Sequence, residues 1–275
     1  MPLMSEPTAK GKTIWIIGAS TGIGYALAQR LHDEGACLAL SARSSDKLDQ
    51  LLHQLSGHVE TPHMSVPADI RDAASLAKSA AMIHKRYGHL DSVIVLAAQY
   101  EPMPLDALDL TKTAAILDVN LMGAFNTINA CLPIFKEQGK GQIVLCASVA
   151  GYCGLPNAQP YSATKAAIIN LAQSLRAELG PKGWCRRSKA NKNRAEIDIK
   201  LINPGFVSTP MTDKNSFDMP MIITPEKAAI AIAKGLHGSH FEIIFPRRFV
   251  YLMKVLQSLP YWLYFKITAK MAAKA

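Results

Sequence analysis

Thr13-Ile14-Trp15-Ile16-Ile17-Gly18-Ala19-Ser20-Thr21-Gly22-Ile23-Gly24 is the stretch on which the reading of the whole chain turns. Its first five residues are β-branched or aromatic and do not alternate with polar ones. A strand buried on both faces has that pattern. Glycines follow at once, in the order G-x-x-x-G-x-G. A helical pattern then begins, with apolar residues at Ala26, Leu27 and Leu31 between Tyr25 and Asp33. Strand, glycine turn and helix in this order form a βα unit whose backbone can turn tightly and come close to a ligand. The helix N-terminus favours negative charge, so a pyrophosphate is the group such a turn suits. The plainer alternative is an ordinary glycine-rich βα turn.

The same alternation runs on through the chain. Further strands are expected at Cys37–Ser41, His63–Val66, Ser92–Ala97, Ile143–Ala147, Ile197–Ile202 and Phe241–Phe245. Helices are expected at Leu48–Leu55, Ala73–Tyr87, Leu110–Lys136, Tyr161–Leu179 and Pro225–Leu236. Strands alternating with helices imply right-handed crossovers and a parallel sheet covered on both faces. The expected fold is therefore doubly wound α/β with seven parallel strands. No internal repeat or linker divides it, so residues 1–246 read as one domain and 247–275 as an extension.

Composition narrows the class further. The chain has 275 residues, of which 49% are hydrophobic and 19% charged, and its formal net charge is +9. That is too apolar for a disordered chain. The positive charge is concentrated: residues 182–200 hold seven basic and two acidic groups, and residues 247–275 hold six basic and none acidic. The remainder is close to neutral, which argues against a dedicated nucleic-acid-binding fold. Five scattered cysteines without a C-x-x-C pair indicate neither a disulfide framework nor a metal site. Met1–Lys12 is short, polar and unlike a signal peptide, and no apolar run reaches the roughly 18 residues of a spanning helix. A cytoplasmic protein is expected.

The second strand bears on which dinucleotide the turn would hold. It runs Leu38-Ala39-Leu40-Ser41-Ala42-Arg43-Ser44, with no carboxylate to bind a ribose 2′-hydroxyl. Arg43 instead offers a forked guanidinium for a 2′-phosphate. Its plainer reading is a solvated surface arginine. Asp69, in Ala68-Asp69-Ile70, reads either as a ligand contact or as the N-cap of the next helix.

Tyr161-Ser162-Ala163-Thr164-Lys165 opens a long helix and puts Tyr161 and Lys165 on one face. A nearby ammonium favours a phenolate, so Tyr161 is expected to have a lowered pKa. Ser148 follows the strand Ile143–Ala147, at the strand end where parallel sheets bind ligands. Asn120 lies inside a predicted helix, where asparagine is mildly unfavourable.

In their order and company these motifs resemble the short-chain dehydrogenase/reductase family, over roughly residues 10–246. The resemblance implies a Rossmann-type fold and direct hydride transfer between NADP(H) and a carbonyl or secondary alcohol. It implies a catalytic set of Asn120, Ser148, Tyr161 and Lys165. Tyr161 would be the general acid or base, Ser148 would bind the substrate oxygen, and Lys165 would bind the nicotinamide ribose. Asn120 would hold a water that links Lys165 to solvent. Cofactor contacts would come from Gly18, Ser20, Thr21, Gly22, Ile23 and Gly24 on the turn, then Arg43, Asp69 and Ile70. Ala97, Ala98, Tyr161 and Lys165 would add to them, with Pro204, Gly205, Val207 and Thr209 on the nicotinamide side. No metal is implied. A homodimer or homotetramer is implied, built on the helices Leu110–Lys136 and Tyr161–Leu179.

Three features depart from the family pattern. Ala97-Ala98-Gln99 stands where Asn-Ala-Gly is usual, which removes a bracing side chain and puts bulk near the ribose. Residues 184–196 form a basic insertion between helix and strand. The tail carries Phe249, Tyr251, Tyr261, Trp262, Tyr264 and Phe265, with Pro260 dividing two short helices and Lys266, Lys270 and Lys274 on one face. It reads as an interfacial helix on an anionic membrane, or as a helical pair packing over the cleft or a neighbouring subunit. The substrate walls are expected from Val149–Pro156 and from Phe206, Val207, Met211, Met219 and Met221, which favours an apolar carbonyl or alcohol. The competing functions are an NADP(H)-binding sensor that docks through its basic appendages, and a nucleic-acid binder through residues 182–200.

Overall fold

The computed structural model describes residues 9–56, 63–179 and 195–272. Seven parallel strands form its sheet: β1 (Thr13–Ile17), β2 (Cys37–Ser41), β3 (Met64–Ser65), β4 (Ser92–Val95), β5 (Lys140–Cys146), β6 (Glu196–Pro204) and β7 (Glu242–Phe245). They lie in the order β3-β2-β1-β4-β5-β6-β7. The helices are α1 (Gly22–Asp33), α2 (Ser45–Gln54), α3 (Ala73–Tyr87), α4 (Leu110–Leu117), α5 (Gly123–Gln138), α6 (Gln159–Leu179), α7 (Pro225–His237), α8 (Arg247–Ser258) and α9 (Tyr261–Ala272).

Alternation along each strand builds two cores. Ile14 and Ile16 of β1 face α1, α2 and α7, through Leu27, Leu31, Leu48 and Ile232. Trp15 and Ile17 face α3, α5 and α6, through Ile83, Phe135 and Ile168. Successive side chains on a strand point to opposite faces, so both faces of β1 are buried. The sheet is therefore doubly wound, as the sequence predicts. Strand order reverses between β1 and β4, where Ile17 pairs with Ser41 on one side and Val95 on the other. That switch point opens a crevice at the carboxyl ends of the strands.

The expected long helix over Leu110–Lys136 is interrupted. Between α4 and α5, residues Asp118–Met122 form a π-helical turn, with Gly123 N donating to Asp118 O five residues back. Such bulges recur at functional sites. By length and apolar content the run Leu110–Gln138 resembles a membrane-crossing helix, a feature that single-residue inspection of the sequence misses. Half of its most apolar window is buried inside the protein, so it is a core helix. Residues Trp184–Arg194 of the basic insertion lie outside the described residues, as does Lys274.

The tail is part of the body. Phe249, Val250, Met253 and Leu256 of α8 are buried with Val149 and Tyr152. Glu242 on β7 joins the same layer, accepting hydrogen bonds from Tyr152 Oη, Lys254 Nζ and Asn203 Nδ2, the last at 2.6 Å. The inner face of α8 is thus packed on the body, while no residue of α8 or α9 lines the cleft that the helical pair was expected to cover.

Candidate active site

A cleft of about 590 Å³ lies at the switch point. Gly18 allows its geometry: φ is +95°, and a Cβ there would sit 2.5 Å from Ala97 N. The turn can thus lie directly on the end of β4, and Leu96 N and Ala97 N both donate to Ile17 O. Thr21 holds the N-cap of α1 without a side-chain capping bond, and no acidic residue lies in the first turn. Gly22, Ile23 and Gly24 of that turn line the cleft. Their amide end is suited to an anion.

Every sequence-predicted cofactor contact lines this cleft: Gly18, Ser20, Thr21, Gly22, Ile23, Gly24, Arg43, Asp69, Ile70, Ala97, Ala98, Tyr161, Lys165, Pro204, Gly205, Val207 and Thr209. Arg43 is exposed beyond the end of β2. Asp69 does not cap α3; Asp72 does, accepting from Ala74 N and Ser75 N at 3.0 Å. Asp69 instead binds Arg71 through Nε and through Nη2, the latter at 2.6 Å. That hydrogen bond holds its carboxyl below the usual range. A glycine cradle and a helix terminus without a side-chain cap together fit the pyrophosphate of a dinucleotide, and Arg43 stands at the same cleft.

Ser148, Tyr161 and Lys165 face the cleft from the opposite side. Lys165 is buried, its Nζ donating to Cys146 O at 2.9 Å and lying 5.4 Å from the centre of the Tyr161 ring. Gly151 makes this approach possible, since a Cβ there would lie 2.7 Å from the carbonyl carbon of Lys165. The short turn Val149–Gly151 after Ser148 is thereby seated directly on α6. Ser148 Oγ accepts from Ala150 N at 3.1 Å, which orients the hydroxyl.

The pKa expectation for Tyr161 is corrected. Burial raises it, with the neighbouring Cys146 adding to the rise, and a Ser148 hydrogen bond pulls the other way. Burial also lowers Lys165. Removal from water disfavours phenolate and ammonium alike, and it is the largest cause for both groups. Burial therefore favours the protonated phenol at Tyr161.

Asn120 does not line the cleft; it stands behind it, buried. Its Oδ1 accepts from Gln99 N at 2.7 Å, and its Nδ2 donates to Gln99 O at 2.9 Å and Thr164 Oγ1 at 3.1 Å. The side chain is thus a brace between the segment after β4 and α6. That role occupies the side chain that was expected to hold a water.

Several contributors escaped the sequence reading. Tyr100 packs edge-on to Tyr161, ring centres 5.0 Å apart, and its Oη donates to Asn215 Oδ1 at 2.8 Å. Lys214 Nζ donates to Tyr100 O at 3.1 Å and pairs with Glu101 at 2.7 Å. These bonds tie the segment after β4 to the segment after β6 across the cleft. The position of Tyr100 just beyond a strand end was the available signal. The expected substrate walls are only partly right. Val207 and Met211 line the cleft, whereas Val149–Pro156, Phe206, Met219 and Met221 do not. Tyr152 is turned toward Glu242, and Phe206 packs on Phe217 and Phe249.

A dinucleotide cradle facing half-buried Tyr161 and buried Lys165 across one crevice defines the class: a nicotinamide-nucleotide-dependent oxidoreductase. Residues 12–219 match the family model described as short chain dehydrogenase, and the chain belongs to that family. It is 30% identical over 235 residues to an uncharacterized oxidoreductase of Staphylococcus epidermidis, covering 85% of this chain and 95% of the relative. It is 31% identical to one of Staphylococcus aureus, covering 83% and 92%. The fold matches a Burkholderia cenocepacia short chain dehydrogenase in complex with NADP, with TM-score 0.76, 21% identity and coverage of 94% and 98%. It also matches a Burkholderia phymatum enzyme in complex with NAD, with TM-score 0.76, 20% identity and coverage of 91% and 94%.

Proposed function

We propose that the chain is an NADP(H)-dependent enzyme that interconverts a carbonyl and a secondary alcohol on an apolar small molecule. The observation that carries this reading is the cleft itself, which joins Arg43 and the glycine turn on one side to Ser148, Tyr161 and Lys165 on the other. Arg43 favours the 2′-phosphorylated cofactor, since no carboxylate closes β2. Bound there, the cofactor supplies or accepts the hydride. Ser148 hydrogen-bonds the substrate oxygen, where charge develops. Tyr161 protonates that oxygen in reduction and takes the proton back in oxidation. Lys165, anchored on the Cys146 carbonyl, replaces the proton and orients the ribose. Asn120 positions Gln99 and Thr164 around them.

An apolar substrate is favoured by Val207, Met211 and the Tyr100 ring along the cleft, and by the pairing of Lys214 with Glu101, which leaves that cation neutralised. Assembly as a dimer or tetramer is favoured by exposed Leu117, Met122 and Phe125 around the α4–α5 junction. Cytoplasmic location belongs to the same proposal.

The test is a panel of short to long ketones and alcohols with both cofactor pairs. NADPH should exceed NADH in kcat/KM by about 10-fold or more, as a charged hydrogen bond of at least 1.4 kcal/mol requires. Preference for NADH would remove the Arg43 argument. Activity confined to small charged substrates would remove the apolar one. The sensor reading predicts instead that no substrate is turned over.

A further inference from the structure

The C-terminal pair α8–α9 has an inner face that is accounted for and an outer face that is not. Inside, Phe249, Val250, Met253 and Leu256 are buried, and Tyr264 Oη donates to Gly154 O. Outside, Tyr251, Leu252 and Val255 of α8 are 57–58% exposed and follow helical spacing. On α9, Tyr261, Trp262 and Phe265 are 77%, 72% and 58% exposed, with the rings of Tyr261 and Phe265 stacked at 5.6 Å. Lys266 and Lys270 come next around the helix from Trp262. No acidic residue occurs from 247 to 275, and among the described tail cations only Lys254 meets a carboxylate.

Single exposed apolar residues are ordinary, but six on two consecutive helices, with Tyr261 and Phe265 stacked on each other, mark an interaction surface. Its chemistry selects the partner. Exposed tyrosine, tryptophan and phenylalanine beside lysines match the boundary between acyl chains and headgroups. Cations without any acid match anionic headgroups. A second copy fits less well, because a two-fold contact would bring one tail's cations against the other's with no acid to answer them.

We propose that the outer face of α8–α9 docks on an anionic lipid surface, with Tyr261, Trp262 and Phe265 in the interface and Lys266 and Lys270 on the headgroups. The proposal is independent of the cofactor and substrate readings. It is tested by flotation of the full chain with phosphatidylcholine vesicles, plain or carrying about 30% phosphatidylglycerol. The chain should float with the anionic vesicles and remain below with the neutral ones. Lys266→Gln with Lys270→Gln should weaken that partition about 30-fold, at roughly 1 kcal/mol per cation. Trp262→Ser with Phe265→Ser should abolish it. All these side chains are exposed, so melting temperature should not change. No flotation, or flotation that is insensitive to both variants, overturns the proposal. So does a halving of the solution mass in the Trp262/Phe265 variant, which would assign the face to a second copy.

Discussion

His63 shows how one side chain's neighbours set its protonation. Its Nδ1 accepts from Leu38 N at 3.1 Å, so that nitrogen carries no proton, and Nε2–H is the group that faces His32 Nδ1 at 2.7 Å. Burial, reinforced by His32, lowers its pKa to about 4. A folded pKa below the unfolded value means that the unfolded chain takes up the proton first. Stability is then full above about pH 6.5 and falls as pH drops toward about 4. Chemical denaturation should show a loss on the order of 2 kcal/mol across that window, and His63→Asn should flatten it. An unchanged slope in the variant would remove His63 as the cause. Tyr161 and Lys165 follow the same logic at the cleft, where burial governs both. Their place was legible from the four-residue spacing. Their pKa directions were not, because burial is a property of the packed molecule.

Among the elements, the turn Val149–Gly151 positions catalysis most directly. Gly151 lets it rest on α6 at Lys165, and this sets where Ser148 stands relative to Tyr161. Gly151→Ala should push the turn away and lower kcat about 100-fold, the scale of a misplacement near 1 Å, while cofactor affinity is retained. Titration of cofactor binding beside steady-state rates checks this; an equal loss in both would point to general unfolding. Strands β1, β2 and β4 were legible because burial on both faces leaves unbroken apolar runs. The π-helical turn at Asp118–Met122 was not, since a five-residue hydrogen-bond step leaves no mark in composition. Nor was Glu242, whose partners Tyr152 and Asn203 lie 90 and 39 residues away. The aromatic tail was visible in the sequence, but only packing separates buried Phe249 and Met253 from exposed Tyr251 and Trp262. Ending the chain before α8 would therefore strip a core layer as well as a surface, which is why surface substitutions are the cleaner probe of docking.

For the whole molecule, one crevice at the switch point gathers residues from 17 to 214. That convergence was legible because strand order dictates where strand ends meet. The assembly proposal belongs to this scale too. Phe125→Glu with Met122→Glu should convert a dimer or tetramer to monomer in light scattering, since the pair adds charge to an apolar face. A mass unaffected by the substitutions would place the interface elsewhere. The central claim is that Tyr161 is the proton donor of a working oxidoreductase. The most direct measurement is the NADPH-dependent ketone reduction rate of Tyr161→Phe, taken beside its cofactor affinity. The rate should fall by about 10²–10⁴ with affinity unchanged. Turnover equal to that of the unsubstituted chain would contradict the account.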